Sequence, residues 1–382
     1  MTTLIGDNII SALGFSSEEN YRNVKAGVCG LKLFSGRYDI PEPFMASEID
    51  NELLEENFKL ISSSKNIDIN YTKLEKASIV SAALALKNTD IDPSDERVLF
   101  VLSTTKGNVF LLDKDENALH YSDSHVYLWR SAELVAGFFG AKNTPLVVSN
   151  ACISGAAALL AAQRELRSGR YDYAVVIGVD VLSKFIITGF QSFKALSQEV
   201  CRPFDANRSG LNIGEAAATI ILSEQPDTKG YMSLTSGAIR NDANHISGPS
   251  RTGEGSYLAL QSALGGIDVS QLAFICAHGT ATLYNDEMES IALARMGLLN
   301  VPVNSLKGYF GHTLGAAGVL ESVISTRALS EGIVLKTYGF ETIGVTNPFF
   351  VPKEILHTQK KHCVKMLSGF GGCNIALVFS KT

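Results

Sequence analysis

One cysteine and two histidines, Cys152, His278 and His312, stand where a chain can present reactive groups. Residues 144–149 (TPLVVS) predict a short buried strand and 155–168 a long helix of small residues closed by Gly169, which puts Cys152 at a helix mouth. Unpaired N–H groups and the positive end of the helix dipole would favour a thiolate there. Free cysteines are as often small buried hydrophobes, so position alone does not decide. His278 and His312 each occupy a glycine-adjacent loop, in Cys276-Ala277-His278-Gly279-Thr280 and in Tyr309-Phe310-Gly311-His312-Thr313. Glycine there lets the backbone bring an imidazole close to a ligand. A sulfur with two imidazoles suits acyl transfer through a thioester: the sulfur takes the acyl group, and imidazole N–H donors steady developing negative charge. Zinc could use the same three groups, but the spacing is long and no HxH or HExxH pattern specifies a site. Serine hydrolysis lacks a GxSxG elbow.

The elements that must position these residues fall into two similar runs. With 382 residues the chain has material for two domains or one large duplicated fold. The first half predicts strands over 3–10, 97–103, 144–149, 173–179 and 215–222, with helices over 18–24, 74–86 and 155–168. Residues 30–72 read as surface loops and short helices, 104–142 as an excursion beside the core or part of a dimer surface, and 183–212 as irregular. The polar stretch 226–229 marks a half-way turn, dividing 1–228, which carries the nucleophile and cap or insertion segments, from 229–382, which carries both histidines and a glycine-rich loop. The second half predicts strands over 231–239, 272–277 and 302–305, helices over 255–264, 286–296 and 314–329, and a strand pair, 365–368 and 374–379, about a glycine turn. Ser154-Gly155-Ala156-Ala157 and Leu314-Gly315-Ala316-Ala317-Gly318 each open a helix, so two small-residue helices could pack closely at the centre of a duplicated fold.

Composition narrows the function classes. A net charge of -6, without a basic tail or aromatic-basic stripe, speaks against nucleic-acid binding. No run of eighteen apolar residues and no leader-like N-terminus appears, so neither a membrane span nor export is expected. Six scattered cysteines without a CxxC pair fit a reducing compartment, and a cytoplasmic location is expected.

Taken in order, the motifs resemble those of the β-ketoacyl-acyl carrier protein synthases, condensing enzymes of fatty-acid and polyketide assembly with a Cys-His-His site. Asn150-Ala151-Cys152-Ile153-Ser154-Gly155 is similar to the nucleophile motif, and Arg202-Pro203-Phe204-Asp205 through Arg208-Ser209-Gly210 to the family's RPFD segment. His278-Gly279-Thr280-Ala281-Thr282, followed by Asp286 and Glu289, resembles the first histidine motif. Lys307, Gly311-His312, Gly315-Ala316-Ala317-Gly318 and Glu321 resemble the second, and Gly369-Phe370-Gly371-Gly372-Cys373-Asn374 the terminal glycine motif. The resemblance implies an α/β fold of the thiolase-like type, five-layered α-β-α-β-α from two duplicated halves. It also implies decarboxylative Claisen condensation: Cys152 holds an acyl group, malonyl-acyl carrier protein loses carbon dioxide and attacks, and 3-oxoacyl carrier protein leaves.

The resemblance assigns further roles. Backbone N–H groups of Cys152 and Phe370 would hold the thioester oxyanion, and His278 and His312 would donate from Nε2 to the malonyl carbonyl. Lys307 would order its loop with Glu321 as partner, Thr280 and Thr282 would meet the pantetheine arm, and Phe370 would be the gate residue beside the acyl cavity. Arg208, Lys65 and Lys73 would face an acidic carrier protein. No metal or tightly bound cofactor is implied, since substrates travel on the carrier's phosphopantetheine. A homodimer, or a heterodimer with a related subunit, would be the assembly. Asn150 stands where threonine is common, Ile153 replaces a small or hydroxyl residue and would narrow or redirect the acyl cavity, and residues 104–108 depart from a glycine-rich segment. These departures lean toward a specialised polyketide or polyene pathway over primary fatty-acid elongation. Two rivals remain: a chain-length partner subunit, which typically lacks the acylated cysteine, and a thiolase, which needs a second catalytic cysteine where only Cys373 stands.

Overall fold

Ten strands carry the architecture, and the order in which they pair repeats between the halves. The first half contributes β1 (Thr2–Ser11), β2 (Val98–Ser103), β3 (Leu146–Val148), β4 (Tyr173–Asp180) and β5 (Ala216–Ser223). The second contributes β6 (Met232–Asn241), β7 (Leu272–Cys276), β8 (Val303–Asn304), β9 (His362–Gly369) and β10 (Cys373–Lys381). Each half is ordered third, second, fourth, fifth, first across its sheet, and the two first strands join antiparallel, residues 2–4 against 232–234. The computed structural model describes all residues except 64, 66, 67, 114–117, 226–229, 231 and 382, so the proposed half-way turn at 226–229 lies outside the described residues.

Six helices complete the layers: α1 (Lys73–Leu86), α2 (Leu128–Phe138), α3 (Ser154–Arg167), α4 (Glu254–Ala263), α5 (Leu283–Arg295) and α6 (Ala317–Glu331). The period-two alternation of a strand decides which helices it meets. Val98, Phe100 and Leu102 of β2 join the core under α1 and α2, whereas Leu99 and Val101 join the core around α3 and α6. In the second sheet, Ala376 and Val378 of β10 pack toward α4 and α5, whereas Ile375 and Leu377 pack toward α3 and α6. The sequence of layers is therefore helix, sheet, helix, sheet, helix, which is the expected thiolase-like five-layered arrangement.

The central layer depends on glycine. A Cβ on Gly155 would stand 2.7 Å from Gly315 O and 3.0 Å from Val319 N, and one on Gly318 would stand 2.1 Å from Ala156 N. Backbone meets backbone here, and no side chain can yield. Gly318→Ala is therefore expected to lower unfolding stability by about 1–3 kcal/mol, the usual cost of overpacking. A urea titration with an unchanged midpoint would show that the two helices part freely.

Four expectations change. The stretch 104–142 is more than an excursion: α2 buries Ala132, Leu134, Val135 and Phe138 against α1 and the first sheet. Its polar and aromatic residues, among them Tyr127, Trp129 and Arg130, hide the helical period. Strand β3 is an edge strand, not a buried one, with Leu146 36% exposed. Within 30–72 and 183–212 lie strands Lys32–Phe34 and Phe44–Ser47, which form a small sheet with Ile213–Gly214, and helices Asn51–Ser62 and Lys184–Ser192. The helix Asn51–Ser62 agrees with the short helices expected in 30–72, whereas the three strands, of 3, 4 and 2 residues, are too short for periodicity to reveal.

Candidate active site

Cys152 stands between β3 and α3, at an elbow held by Ser154, whose hydroxyl donates to Ala151 O at 2.6 Å and accepts from Asn150 N at 2.8 Å. Ala151 has φ +44, a conformation that non-glycine residues rarely adopt, and it turns the chain sharply so that the next side chain points into the molecule. Ile153 caps the start of α3 and is fully buried in the central core. It is not among the residues that wall the cavity, and its apolar side chain packs in the central core.

His278 follows β7. Its loop is fixed by two buried carboxylates: Glu289 accepts from His278 N and Gly279 N, each at 2.7 Å, and Asp286 accepts from Thr280 N at 3.0 Å and Phe204 N at 2.7 Å. Ser305 Oγ donates to Gly279 O at 2.7 Å. His312 follows the short turn Lys307–Phe310, and its backbone N–H donates to Asn212 O at 2.7 Å while its carbonyl accepts from Gly214 N at 3.0 Å. The imidazoles meet edge to face with ring centres 5.0 Å apart, and a ligand atom of Cys152, His278 and His312 each lies within 4.8 Å of the others. All three are buried.

Burial dominates the electrostatics. It pushes the Cys152 thiol up to about 11, with Asp180 adding to the rise; Lys307 and the backbone N–H groups of Phe370 and Cys152 oppose it. Burial thus outweighs the Lys307 charge and the backbone N–H groups, which favours the thiol at rest. Both histidines are held well below their usual range, chiefly by burial, then by the ammonium of Lys307, with Lys365 also contributing. They stay neutral through the physiological range. Since the thiolate fraction below such a value grows tenfold per pH unit, alkylation of Cys152 by iodoacetamide is expected to climb about tenfold per unit from pH 7 to 9 without levelling. A plateau near pH 7, followed by peptide mass analysis, would show instead that the dipole prevails.

Beneath the histidines lies an ion cluster. Glu321 on α6 receives Lys307 Nζ at 2.7 Å on one oxygen and Lys365 Nζ at 2.5 Å on the other, and all three residues are buried. Lys365 also donates to Ala277 O at 2.9 Å and Cys276 O at 3.2 Å, which ties the cluster to the strand leading into His278. Two cations on one anion leave net positive charge under the imidazoles. The pairing of Lys307 with Glu321 matches the expected one; Lys365 was not singled out from sequence. Its signal was a lysine inside the apolar run Cys363-Val364-Lys365-Met366-Leu367.

The same geometry weighs against a metal. Leu314 N donates to His312 Nδ1 at 3.2 Å, which leaves the proton on Nε2, the nitrogen aimed at Cys152's side of the cluster and otherwise unpartnered. A metal on Nε2 requires the opposite tautomer, with Nδ1–H donating outward. The positive field of Lys307 and Lys365 opposes a cation further. The donor set fits anion stabilisation better than chelation.

A cavity of about 320 Å³ runs from the surface to Cys152, His278 and His312, walled by Thr280, Thr282, Phe370 and the loop that contains His245. Thr280 and Thr282 hydroxyls bond each other at 2.9 Å. Phe370 is 38% exposed and rests on Phe190 and Phe193. Of the three cations expected to face a carrier, Arg208 and Lys73 are spent internally, while Lys65 is an exposed residue whose ammonium is engaged. Arg208 is buried, donating to Asp205 O at 2.9 Å and Gly344 O at 2.6 Å; Lys73 pairs with Glu215 at 2.6 Å; and Lys65 donates to Phe138 O at 2.8 Å.

Comparison with known proteins places this geometry in context. Residues 3–228 match the family model described as beta-ketoacyl synthase, N-terminal domain, and residues 231–341 match beta-ketoacyl synthase, C-terminal domain. A putative mitochondrial 3-oxoacyl-[acyl-carrier-protein] synthase of Schizosaccharomyces pombe is 28% identical over 99% of this chain and 98% of its own. Among solved structures, a ketosynthase in complex with its chain length factor from Xenorhabdus doucetiae superposes with a TM-score of 0.88 at 24% identity, covering 100% of this chain and 98% of that one. A type II polyketide ketosynthase, solved in complex with its acyl-carrier protein, gives 0.84 at 22% identity, covering 100% and 99%. These superpositions are likenesses of fold.

Proposed function

This chain belongs to the beta-ketoacyl synthase family, and on that premise we propose that its cavity joins an acyl group held on Cys152 to a malonyl unit carried by acyl carrier protein, releasing carbon dioxide and a 3-oxoacyl thioester. The observation that carries the reading is the buried meeting of one thiol with two neutral imidazoles above an ion cluster. In the first half-reaction the Cys152 sulfur attacks the acyl thioester carbonyl, the carrier's C–S bond breaks, and the thiol proton leaves with the carrier sulfur. The N–H groups of Cys152 and Phe370, which lower the thiol's value against its burial, would steady the tetrahedral oxyanion. In the second, the malonyl C–C bond to the carboxylate breaks, and the electron pair left on the α-carbon spreads onto the thioester oxygen, where His312 and His278 donate. That carbanion attacks the acyl carbonyl, and Cys152 departs.

Neutrality of the histidines serves this sequence. A donor held without charge can strengthen its hydrogen bond as the enolate forms, without first being paired to the malonyl carboxylate. The intact Cys-His-His set argues for catalysis over a chain-length partner role. Thr280 and Thr282 at the cavity wall would meet the amides of the arm. Partner surfaces also have support: β3 leaves one edge of its sheet unpaired, and beside it Tyr127 and Trp129 stack on each other, both more than half exposed. An uncovered edge strand invites a second strand, from another copy of this chain or a related subunit.

The test is mass analysis of the full-length protein offered acyl groups on carrier protein. Acylation of Cys152, then malonyl-dependent extension by two carbons, is the expected result. Stable pairing with a related subunit but neither chemical step would return the chain to the partner reading.

A further inference from the structure

The aromatic residues at the cavity deepen that reading, on which this inference rests, by pointing to what selects the acyl chain. Phe370 and Cys152 wall the same cavity. The ring is stacked on Phe190 at 5.7 Å and 27° and met edge-on by Phe193 at 5.4 Å and 71°. Phe190 is buried in an apolar cluster with Leu182, Ile187, Leu211, Ile213 and Leu314, so its own packing explains it. Phe193 is different. It is 55% exposed, belongs to no core cluster, and its ring contact is with Phe370.

The backbones on the two sides of this contact differ as well. Phe193 ends the helix Lys184–Ser192, its N–H bonding Gly189 O and Gln191 O, and Lys194 after it takes φ +54, so the ring's direction is set by a fixed helix end. Phe370 is followed by Gly371 and Gly372 at φ +83 and +75, and a Cβ on Gly371 would meet nothing within 4 Å. Glycine at 371 thus serves its positive φ and not close packing. The turn itself is pinned, Gly371 N donating to Ile246 O at 2.7 Å and Asn241 Nδ2 to Gly371 O at 2.8 Å, so what can swing is the Phe370 side chain, and Phe193 meets it edge-on.

We propose that Phe193 is a specificity-determining positioning residue: its edge-on contact keeps the Phe370 ring across the cavity, so that short acyl groups reach Cys152 with the ring in place while long ones must first part the two rings. The cavity of about 320 Å³ must also admit the carrier's arm, and Phe190, Phe193 and Phe370 all line it, so a long chain meets these rings. Losing one aromatic pair changes such a partition about two- to tenfold.

The experiment compares wild type, Phe193→Ala and Phe193→Leu, using acetyl, hexanoyl and dodecanoyl thioesters of pantetheine, with Cys152 acylation rates read by intact-protein mass. Both variants are expected to raise the dodecanoyl-to-acetyl rate ratio about two- to tenfold, Leu less than Ala because it keeps bulk without the ring. Rates that rise or fall together for all three thioesters, or a ratio that stays put, would overturn the role of Phe193 while leaving the condensing reading intact. A wild type that none of the three acylates would overturn the condensing reading, and this proposal with it.

Discussion

Cys152→Ala is expected to abolish condensation, by at least about a thousandfold, while malonyl thioester is still decarboxylated. The split follows from where the groups sit. The sulfur alone can carry the acyl group, and the other five cysteines lie on other elements: Cys276 and Cys363 are sealed in strands, Cys201 is buried, Cys29 bonds Gly308 O, and Cys373, half-buried at the start of β10, accepts from Asn241 Nδ2 at 3.6 Å. The imidazoles, by contrast, are anchored by groups that Cys152 does not touch: Glu289 under His278, Asn212 and Leu314 around His312. Removing the thiol leaves both donors aimed at the place where the enolate forms. The reverse variants, His278→Ala and His312→Ala, are expected to keep acyl-Cys152 formation and lose about a hundred- to a thousandfold in carbon dioxide release, the usual cost of one preorganised donor. Product formation by Cys152→Ala, or an acyl adduct on another cysteine, would end the assignment.

The legible part of this molecule was what periodicity and local punctuation encode. Buried strands such as 98–103 and the small-residue helices at 154–167 and 317–331 announce themselves, and the matched openings of those two helices pointed to duplication before any strand order was visible. The chemistry was legible through adjacency to glycine, since Gly279 and Gly311 sit at positive φ beside the histidines they present. What escaped was tertiary. Lys365 reaches Glu321 only because β9 lies beside β7 in the sheet, a pairing between residues 89 apart in sequence, as Lys365 and Cys276 are. Arg208 looked like a surface cation because charge is usually solvated; here two carbonyls and Asp286 enclose it. Ile153 neighbours the nucleophile in sequence, yet successive side chains at a helix start point apart, and this one turns into the core. The thiol's protonation could not be read at all, because it is a balance between burial and several partial charges.

Glu321→Gln is expected to cost about 3–5 kcal/mol of stability at pH 7, the largest effect predicted for a side chain that touches no substrate. Glu321 is the one acid that both Lys307 and Lys365 bond, and although burial pushes its carboxyl up, the two ammonium groups overrule it and leave it below its usual range. The amide keeps the shape and removes the charge, so two buried cations face each other unneutralised. Lys365, whose raised value rests in part on Glu321, then gives up its proton more readily in the folded state, and a lysine whose folded value drops below its unfolded one binds fewer protons folded than unfolded. Stability of the variant should therefore rise with pH from 7 toward 10, with the unfolded chain holding the excess protons. Urea unfolding at pH 7 and 9 reads this directly: a loss under about 1 kcal/mol, or a loss that does not shrink at pH 9, would mean that solvent already screens the cluster. The triple variant Glu321→Gln, Lys307→Met, Lys365→Met separates charge from shape, since replacing a whole buried ion cluster by apolar groups is often neutral. It should regain most of the stability. The histidines would then lose the positive field that helps burial hold them neutral, and the acid limb of carbon dioxide release should move upward in pH, because protonated imidazoles would appear sooner as pH falls.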